Sequence, residues 1–371
     1  MKDYLSSVYK GKTVLVTGHT GFKGSWLCLW LNELGAKVIG YALEPKTKND
    51  NYVVSDLKRQ IVSIIGDIKD FNKLKGVFGY YEPEITFHLA GQPIVLNSYK
   101  EPKETYDVNV GGTVNFLECC RLSEFVKVIV NVTSDKCYKN TGAKRDYIET
   151  DPLGGHDPYS SSKGCAELVT RAYSKSFFDG GRFSEFRKVL SSARAGNVIG
   201  GGDWSEYRVV TDCVSRLFQN KKIIIRNPQA TRPWQHVIEV LYGYLLLAAK
   251  MCSGNAIYSG AWNFGPDRES NISVKAFVEK FIEYWGVGDY QIEKHDNKPY
   301  EARYLMLDNN KVKQFLAWYP VWSINEKIKL TVDWYKGYIT GKEDMYDFNV
   351  SQISKFYGKV KNSIELQYAQ K

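Results

Sequence analysis

Tyr159 and Lys163 stand four residues apart in Asp157-Pro158-Tyr159-Ser160-Ser161-Ser162-Lys163. Pro158 suits a first helical turn and Asp157 its cap, so the phenol and the amine share one helical face. A neighbouring ammonium favours the phenolate, which is expected to lower the tyrosine pKa and make Tyr159 a general base. The same lysine can hydrogen-bond a nicotinamide ribose; a surface pair with no chemistry is the plainer alternative. A second cluster, Thr133-Ser134-Asp135-Lys136, closes the β-branched run Lys127–Val132. A plain dehydrogenase needs only the hydroxyl beside Tyr and Lys. The added acid and amine suggest proton work at a second carbon, against a bland reading as a turn and an ion pair.

A third constellation lies near the N-terminus, where an apolar run enters Thr17-Gly18-His19-Thr20-Gly21-Phe22-Lys23-Gly24. Glycines at 18, 21 and 24 allow a tight strand-to-helix turn and a close backbone approach to a pyrophosphate, helped by the following helix N-terminus. The strand before and the apolar helix after supply the context of a dinucleotide loop. Lys23 either adds charge to the phosphates or faces solvent. The run Lys37–Leu43 ends without the acid that commonly holds an NAD ribose, and without an arginine for a 2′-phosphate, so NAD is the expected cofactor. Asp67 suits either an adenine edge or the cap of a helix starting at Lys69. Phe22, Ile68, Leu89, Ala90, Gln92, Asn109 and Thr133 are further expected along the cofactor.

These residues need a scaffold. Short β-branched runs at 12–18, 37–43, 61–67, 84–90, 127–135 and 188–199 alternate with helical segments such as Ser25–Leu34 and Thr105–Phe125. That rhythm gives an α/β fold: a doubly wound, parallel Rossmann-type sheet over residues 1–200. After Gly200-Gly201-Gly202 the alternation breaks into turn-rich stretches, including RNPQATRPW and AWNFGP, with apolar helices at Val237–Met251 and Val274–Trp285. This reads as a smaller, mixed α/β substrate lobe over 201–340, whose strands can return to the first sheet. Residues 341–371 read as a polar tail, either a loosely attached helix or partly disordered.

Composition narrows the classes further. The chain has 371 residues, 43% hydrophobic and 14% aromatic, which excludes a disordered chain. No apolar stretch reaches membrane-spanning length and no signal peptide is read, so a cytoplasmic protein is expected. The seven cysteines are odd in number and show no CxxC or Cys/His ligand spacing, so no metal site is expected. The formal charge of +9 suits a phosphate-bearing small molecule; nucleic acid is not the expected partner, because no basic run is interleaved with aromatics.

The stretches GKTVLVTGHTGFKGSWL, GDIKD, TSDKCY, DPLGGHDPYSSSKGCAELV, ARAGNVIGGGDW, RPWQHV and AWNFGP resemble the CDP-glucose 4,6-dehydratases, from Gly11 to about Tyr338. Related dehydratases for dTDP-glucose or GDP-mannose carry an acidic residue where Lys136 stands. The resemblance implies an NAD-dependent lyase, in which Tyr159 deprotonates the sugar 4-hydroxyl, Ser134 holds that oxygen and Lys163 tunes Tyr159. Asp135 would protonate the leaving water at C6, and Lys136 would serve proton transfer at C5. An ammonium cannot accept a proton. Either its pKa falls and the neutral amine serves, or it stabilises the enolate. Asn197, Arg208, Arg226, Arg232, Glu301 and Arg303 are the implied substrate contacts, with Arg232 foremost. Leu96 and Tyr300 depart from the family pattern, while His88 and His236 read as structural. The resemblance also implies a homodimer, or a tetramer, built on a four-helix bundle of Thr105–Phe125 and Tyr159–Phe178, and a role in lipopolysaccharide O-antigen sugars. A 4-epimerase on the same fold needs only Tyr159, Lys163 and a hydroxyl, and a silent NAD-binding regulator needs no base at all.

Overall fold

The computed structural model describes residues 2–142, 145–178, 188–293, 305–341 and 343–369, with side chains to residue 363. The β-branched runs become β1 (Thr13–Thr17), β2 (Lys37–Ala42), β3 (Val62–Ile65), β4 (Ile85–His88), β5 (Val128–Val132) and β6 (Val189–Ala195). A seventh strand, Gly260–Phe264, completes a sheet in the order seventh–β6–β5–β4–β1–β2–β3, in which every neighbouring pair is parallel. This is a Rossmann-type sheet. The strand order reverses between β1 and β4, and a crevice opens at that switch point beyond the carboxyl ends of the strands.

The pleat divides the core. Val14 and Val16 of β1 pack into one hydrophobic cluster and Leu15 into the other; Val128 and Val130 of β5 likewise oppose Ile129. On the first face lie the helix Phe22–Glu33 and the helix Val237–Met251, whose residues are buried on all sides but Lys250. An apolar helix with no polar face belongs in such a position.

Four segments differ from the sequence reading. The run 188–199 is not one strand: β6 stops at Ala195, and Val198–Ile199 pairs separately with Gln235–His236. AWNFG, read among the turns, is the seventh strand, with Trp262, Asn263 and Phe264 fully buried. The helix expected over Thr105–Phe125 is broken into Pro102–Tyr106, a π-helical turn at Asp107–Gly111 and Gly112–Leu122. The polar tail takes the helical alternative, Met345–Ala369, but it is docked on the first face rather than loosely attached. Its Phe356 ring lies 6.0 Å from Trp30, 5.1 Å from Tyr242 and 5.1 Å from Trp322. Its Asn349 donates to Asn51 and Ser55 and accepts from the Trp334 indole at 2.7 Å. Among the described residues no helix is long and apolar enough to cross a membrane.

Candidate active site

The glycine loop leaves β1 at Gly18, whose φ of +79° and whose proximity to the next strand both require glycine: a Cβ there would lie 2.7 Å from the Ala90 nitrogen. A Cβ on Gly24 would run into the Gly18 carbonyl. The helix Phe22–Glu33 therefore starts tight against the loop, and no described side chain caps its first turn. Its free N–H groups face a cavity of about 530 Å³, a fitting cradle for a pyrophosphate. Of the residues expected along the cofactor, Gly18, Gly21, Phe22, Lys23, Gly24, Asp67, Ile68, Leu89, Ala90, Thr133, Tyr159 and Lys163 line this cavity.

Gln92 and Asn109 do not line it. The Asn109 amide accepts from the Gln92 N–H at 2.8 Å and donates to the Ser162 hydroxyl at 2.9 Å, so the π-helical turn brackets the post-β4 loop to the Tyr159 helix from behind. Asp67 lines the wall while accepting from the Lys69 N–H; the cap of the next helix is Asp70. Glu44 and Lys46, just past the end of β2, also line the cavity. Glu44 is an acid one residue beyond the Lys37–Leu43 run, which itself carries none. His19 lies under β2, bonded to the Ser63 hydroxyl at 2.8 Å, and burial lowers it to about 4.

Asp157 caps the helix Pro158–Tyr173 through the Ser160 N–H at 2.9 Å, which fixes the phase of Tyr159 and Lys163. The expected acidification of Tyr159 by Lys163 is absent. Burial pushes Tyr159 up to about 12, and the neighbouring Ser134 hydroxyl and Arg208 charge pull the other way without offsetting it. Burial also lowers Lys163 to about 8. Lys23 drops to about 7, through burial first and then the charges of Arg208 and Lys163.

Across the cavity, Ser134 caps a short 3-10 turn at Asp135–Cys137 by accepting from the Lys136 N–H, and its hydroxyl donates to Asp135 Oδ1 at 3.0 Å. Asp135 is 2% exposed, and its Oδ2 finds no hydrogen-bond partner among the described residues. Room for that carboxyl exists because residue 196 is glycine; a Cβ there would collide with it. Gly196 directly follows the last residue of β6, Ala195.

A second cavity of about 500 Å³ adjoins the first and shares Lys136, Asn197, Tyr207, Arg208 and Arg232 with it. Arg226 and Leu96 line only the second. Arg208 pairs with Asp203 at 2.6 Å and Arg226 with Asp212 at 3.5 Å, so each cation is steadied by an acid the sequence reading did not single out. Glu301, Arg303 and Tyr300 lie outside the described residues. His88 is buried, bonded to Thr17 at 2.7 Å and near Thr113, while His236 caps Val237–Met251 through the Ile238 N–H.

A dinucleotide cradle opening through a Tyr–Lys pair and an acid–amine turn into an arginine-lined chamber defines an NAD-dependent sugar-nucleotide dehydratase. Residues 15–331 match the family described as GDP-mannose 4,6 dehydratase, and the chain belongs to that family. It is 46% identical over 348 residues to the CDP-glucose 4,6-dehydratase of Salmonella typhimurium, covering 94% of this chain and 97% of that one. It is 27% identical to the dTDP-D-glucose 4,6-dehydratase of Dictyostelium discoideum, over 70% of this chain and 60% of that one. Among solved structures, the fold is similar to a UDP-glucose 4-epimerase of Thermotoga maritima (TM-score 0.76, 24% identity, 88% of this chain and 99% of that one). It is similar also to a dTDP-glucose 4,6-dehydratase of Bacillus anthracis in complex with NAD (TM-score 0.73, 22% identity, 91% of this chain and 100% of that one).

Proposed function

We propose that this chain converts CDP-D-glucose to CDP-4-keto-6-deoxy-D-glucose and water. The observation that carries the reaction is the buried Asp135 carboxyl beside Lys136, facing the cavity that holds Tyr159 and Lys163. A 4-epimerase needs a base and a hydroxyl, and has no use for a second acid held in reserve. The choice of CDP-glucose rests on the full-length likeness to the Salmonella typhimurium enzyme.

Bound NAD would supply the oxidant for C4 and, once reduced, the reductant for C6, and its positive charge would favour the phenolate of Tyr159 that the first step needs. Tyr159 accepts the 4-hydroxyl proton, Ser134 holds that oxygen, and Lys163 holds the nicotinamide ribose. The resulting 4-ketone acidifies the C5 proton, which Lys136 manages at the junction of the two cavities. Asp135 gives a proton to the departing C6 hydroxyl. Arg208, Arg226 and Arg232, with Asn197, receive the diphosphate.

The enzyme acts in the cytoplasm as a homodimer, or as a tetramer built from two such dimers, and supplies deoxy sugars for bacterial surface polysaccharide. Exposed Tyr106, Val114, Leu122 and Leu168 on the bundle helices support the dimer. Incubation with CDP-glucose, dTDP-glucose, UDP-glucose and GDP-mannose, followed by the alkali-induced absorbance of 4-keto-6-deoxy sugars, tests the reading. Turnover of CDP-glucose alone is expected. Turnover of another sugar nucleotide instead overturns the substrate, and no product from any of them overturns the dehydratase reading.

A further inference from the structure

Behind the active-site wall lies a buried ion pair that the reaction itself does not use. Glu167 sits one turn beyond Lys163 and two beyond Tyr159 on the same helix, and pairs with Arg194 of β6 at 2.7 Å, with side chains 3% and 4% exposed. Its carboxylate also accepts from the Thr133 hydroxyl and, at 2.8 Å, from Ser192. Burial pushes Glu167 up, but the Arg194 charge and these hydrogen bonds outweigh it and hold the group below the usual carboxylate range. Arg194 reaches the other way. It donates to the Tyr138 hydroxyl at 2.7 Å and to the Glu149 carbonyl at 3.1 Å, with its guanidinium 4.9 Å from the centre of the Tyr138 ring. Tyr138 in turn donates to Asn263 of the seventh strand at 2.7 Å.

Thr133 and Tyr138 are the two ends of the turn that carries Ser134, Asp135 and Lys136. One carboxylate and one guanidinium thus grip both ends of that turn, and the carboxylate belongs to the helix of Tyr159 and Lys163. Such a pair adds little net stability over apolar residues of the same shape, since desolvation offsets its attraction. What it does supply is direction, because a charge-assisted hydrogen bond backed by several shared ones fixes distance and angle together.

We propose that Glu167 and Arg194 are positioning residues that hold the Ser134–Asp135–Lys136 turn in register with Tyr159 and Lys163, and that the elimination depends on them more than the oxidation does. Tyr159 and Lys163 keep their phase through Asp157 and the helix itself. Asp135 and Lys136, the groups used only for elimination, have the turn alone. This assignment rests on the dehydratase reading above.

Two variants test it: Glu167→Gln, which removes the charge, and Tyr138→Phe, which removes only the hydroxyl link and leaves the ring in place. In each, kcat falls about 10- to 100-fold, as a displacement of around an ångström produces, while KM stays within about twofold. Oxidation continues ahead of the slowed elimination, so reduced nicotinamide accumulates in the steady state and is read by its absorbance. In the cofactor-free protein, hydrogen exchange accelerates at the amides of residues 133–139 and stays unchanged along Pro158–Tyr173. An unaltered kcat in folded Tyr138→Phe, an equal slowing of both half-reactions, or unchanged exchange across 133–139 overturns the proposal. If the unaltered protein turns over no sugar nucleotide, the reaction assignment falls. The exchange measurement still decides whether the pair fixes the turn.

Discussion

Tyr159 and Lys163 enter the cavity from one helical face, yet burial drives both toward their neutral forms, the phenol up to about 12 and the amine down to about 8. Lys23 follows, at about 7, beside Arg208 and Lys163. A diphosphate favours the protonated lysine, so Lys23 should take up a proton as the ligand binds. Its charge is present below about pH 7 and lost above it in the free protein. NAD affinity is therefore strongest on the acid side and weakens as pH rises through 7, by up to about tenfold per pH unit, until the raised pKa of the complex is passed. Calorimetric titration of the cofactor-free protein between about pH 6 and pH 9 reads this slope, and Lys23→Met flattens it. Equal slopes in both proteins would assign the effect to another group, with Lys163 first in line. The expected residues that line the cavity were legible because contiguous motifs carry them: the glycine loop, Thr133–Lys136, and Tyr159 with Lys163. Glu44, Asp203, Gly196 and the Glu167–Arg194 pair were not. Gly196, Glu167 and Arg194 take their roles from neighbours distant along the chain, as when Gly196 clears room for Asp135.

At the scale of elements, the parallel sheet could be read from its β-branched runs, because a strand covered on both faces must be apolar throughout. The seventh strand escaped, since Gly260-Ala261-Trp262-Asn263-Phe264 carries a glycine and an asparagine. Asn263 is buried there because its amide serves the Tyr147 carbonyl and its Oδ1 accepts from Tyr138. The docking of the C-terminal helix escaped for a related reason. Its inward stripe of Met345, Asn349, Gln352, Ile353, Phe356 and Val360 has helical spacing, but two polar members hide the apolar periodicity. Docking of this helix is expected to matter for stability. Phe356 is fully buried among Trp30, Tyr242 and Trp322, so Phe356→Ala removes about 3–5 kcal/mol, read as a lower denaturation midpoint at unchanged slope. A loss below about 1 kcal/mol would mean that the helix is not held on this face in solution.

Taken as a whole, the molecule places its reacting groups on one side of a single helix and its exposed apolar side chains on the other. Tyr159 and Glu167 face inward from Pro158–Tyr173, whereas Leu168 is 55% exposed. One helix diameter, roughly 10 Å, therefore separates the proposed dimer face from the proton-transfer site. In the proposed dimer, burying Leu168 against the partner's matching surface would anchor the Tyr159 helix from behind, and a twofold interface would give both sites the same support. Leu168→Asp places a charge in that apolar contact, where desolvation opposes association. Sedimentation should then show the variant as a monomer and the unaltered protein at twice that mass or a multiple of it. Because the freed helix carries Tyr159 and Lys163, kcat should fall together with the dimer, by as much as ~100-fold if the helix shifts by about an ångström. A variant that remains dimeric would move the interface away from this face. A variant that is monomeric but fully active would show that each subunit holds its catalytic helix unaided, through the Asp157 cap and the buried Glu167.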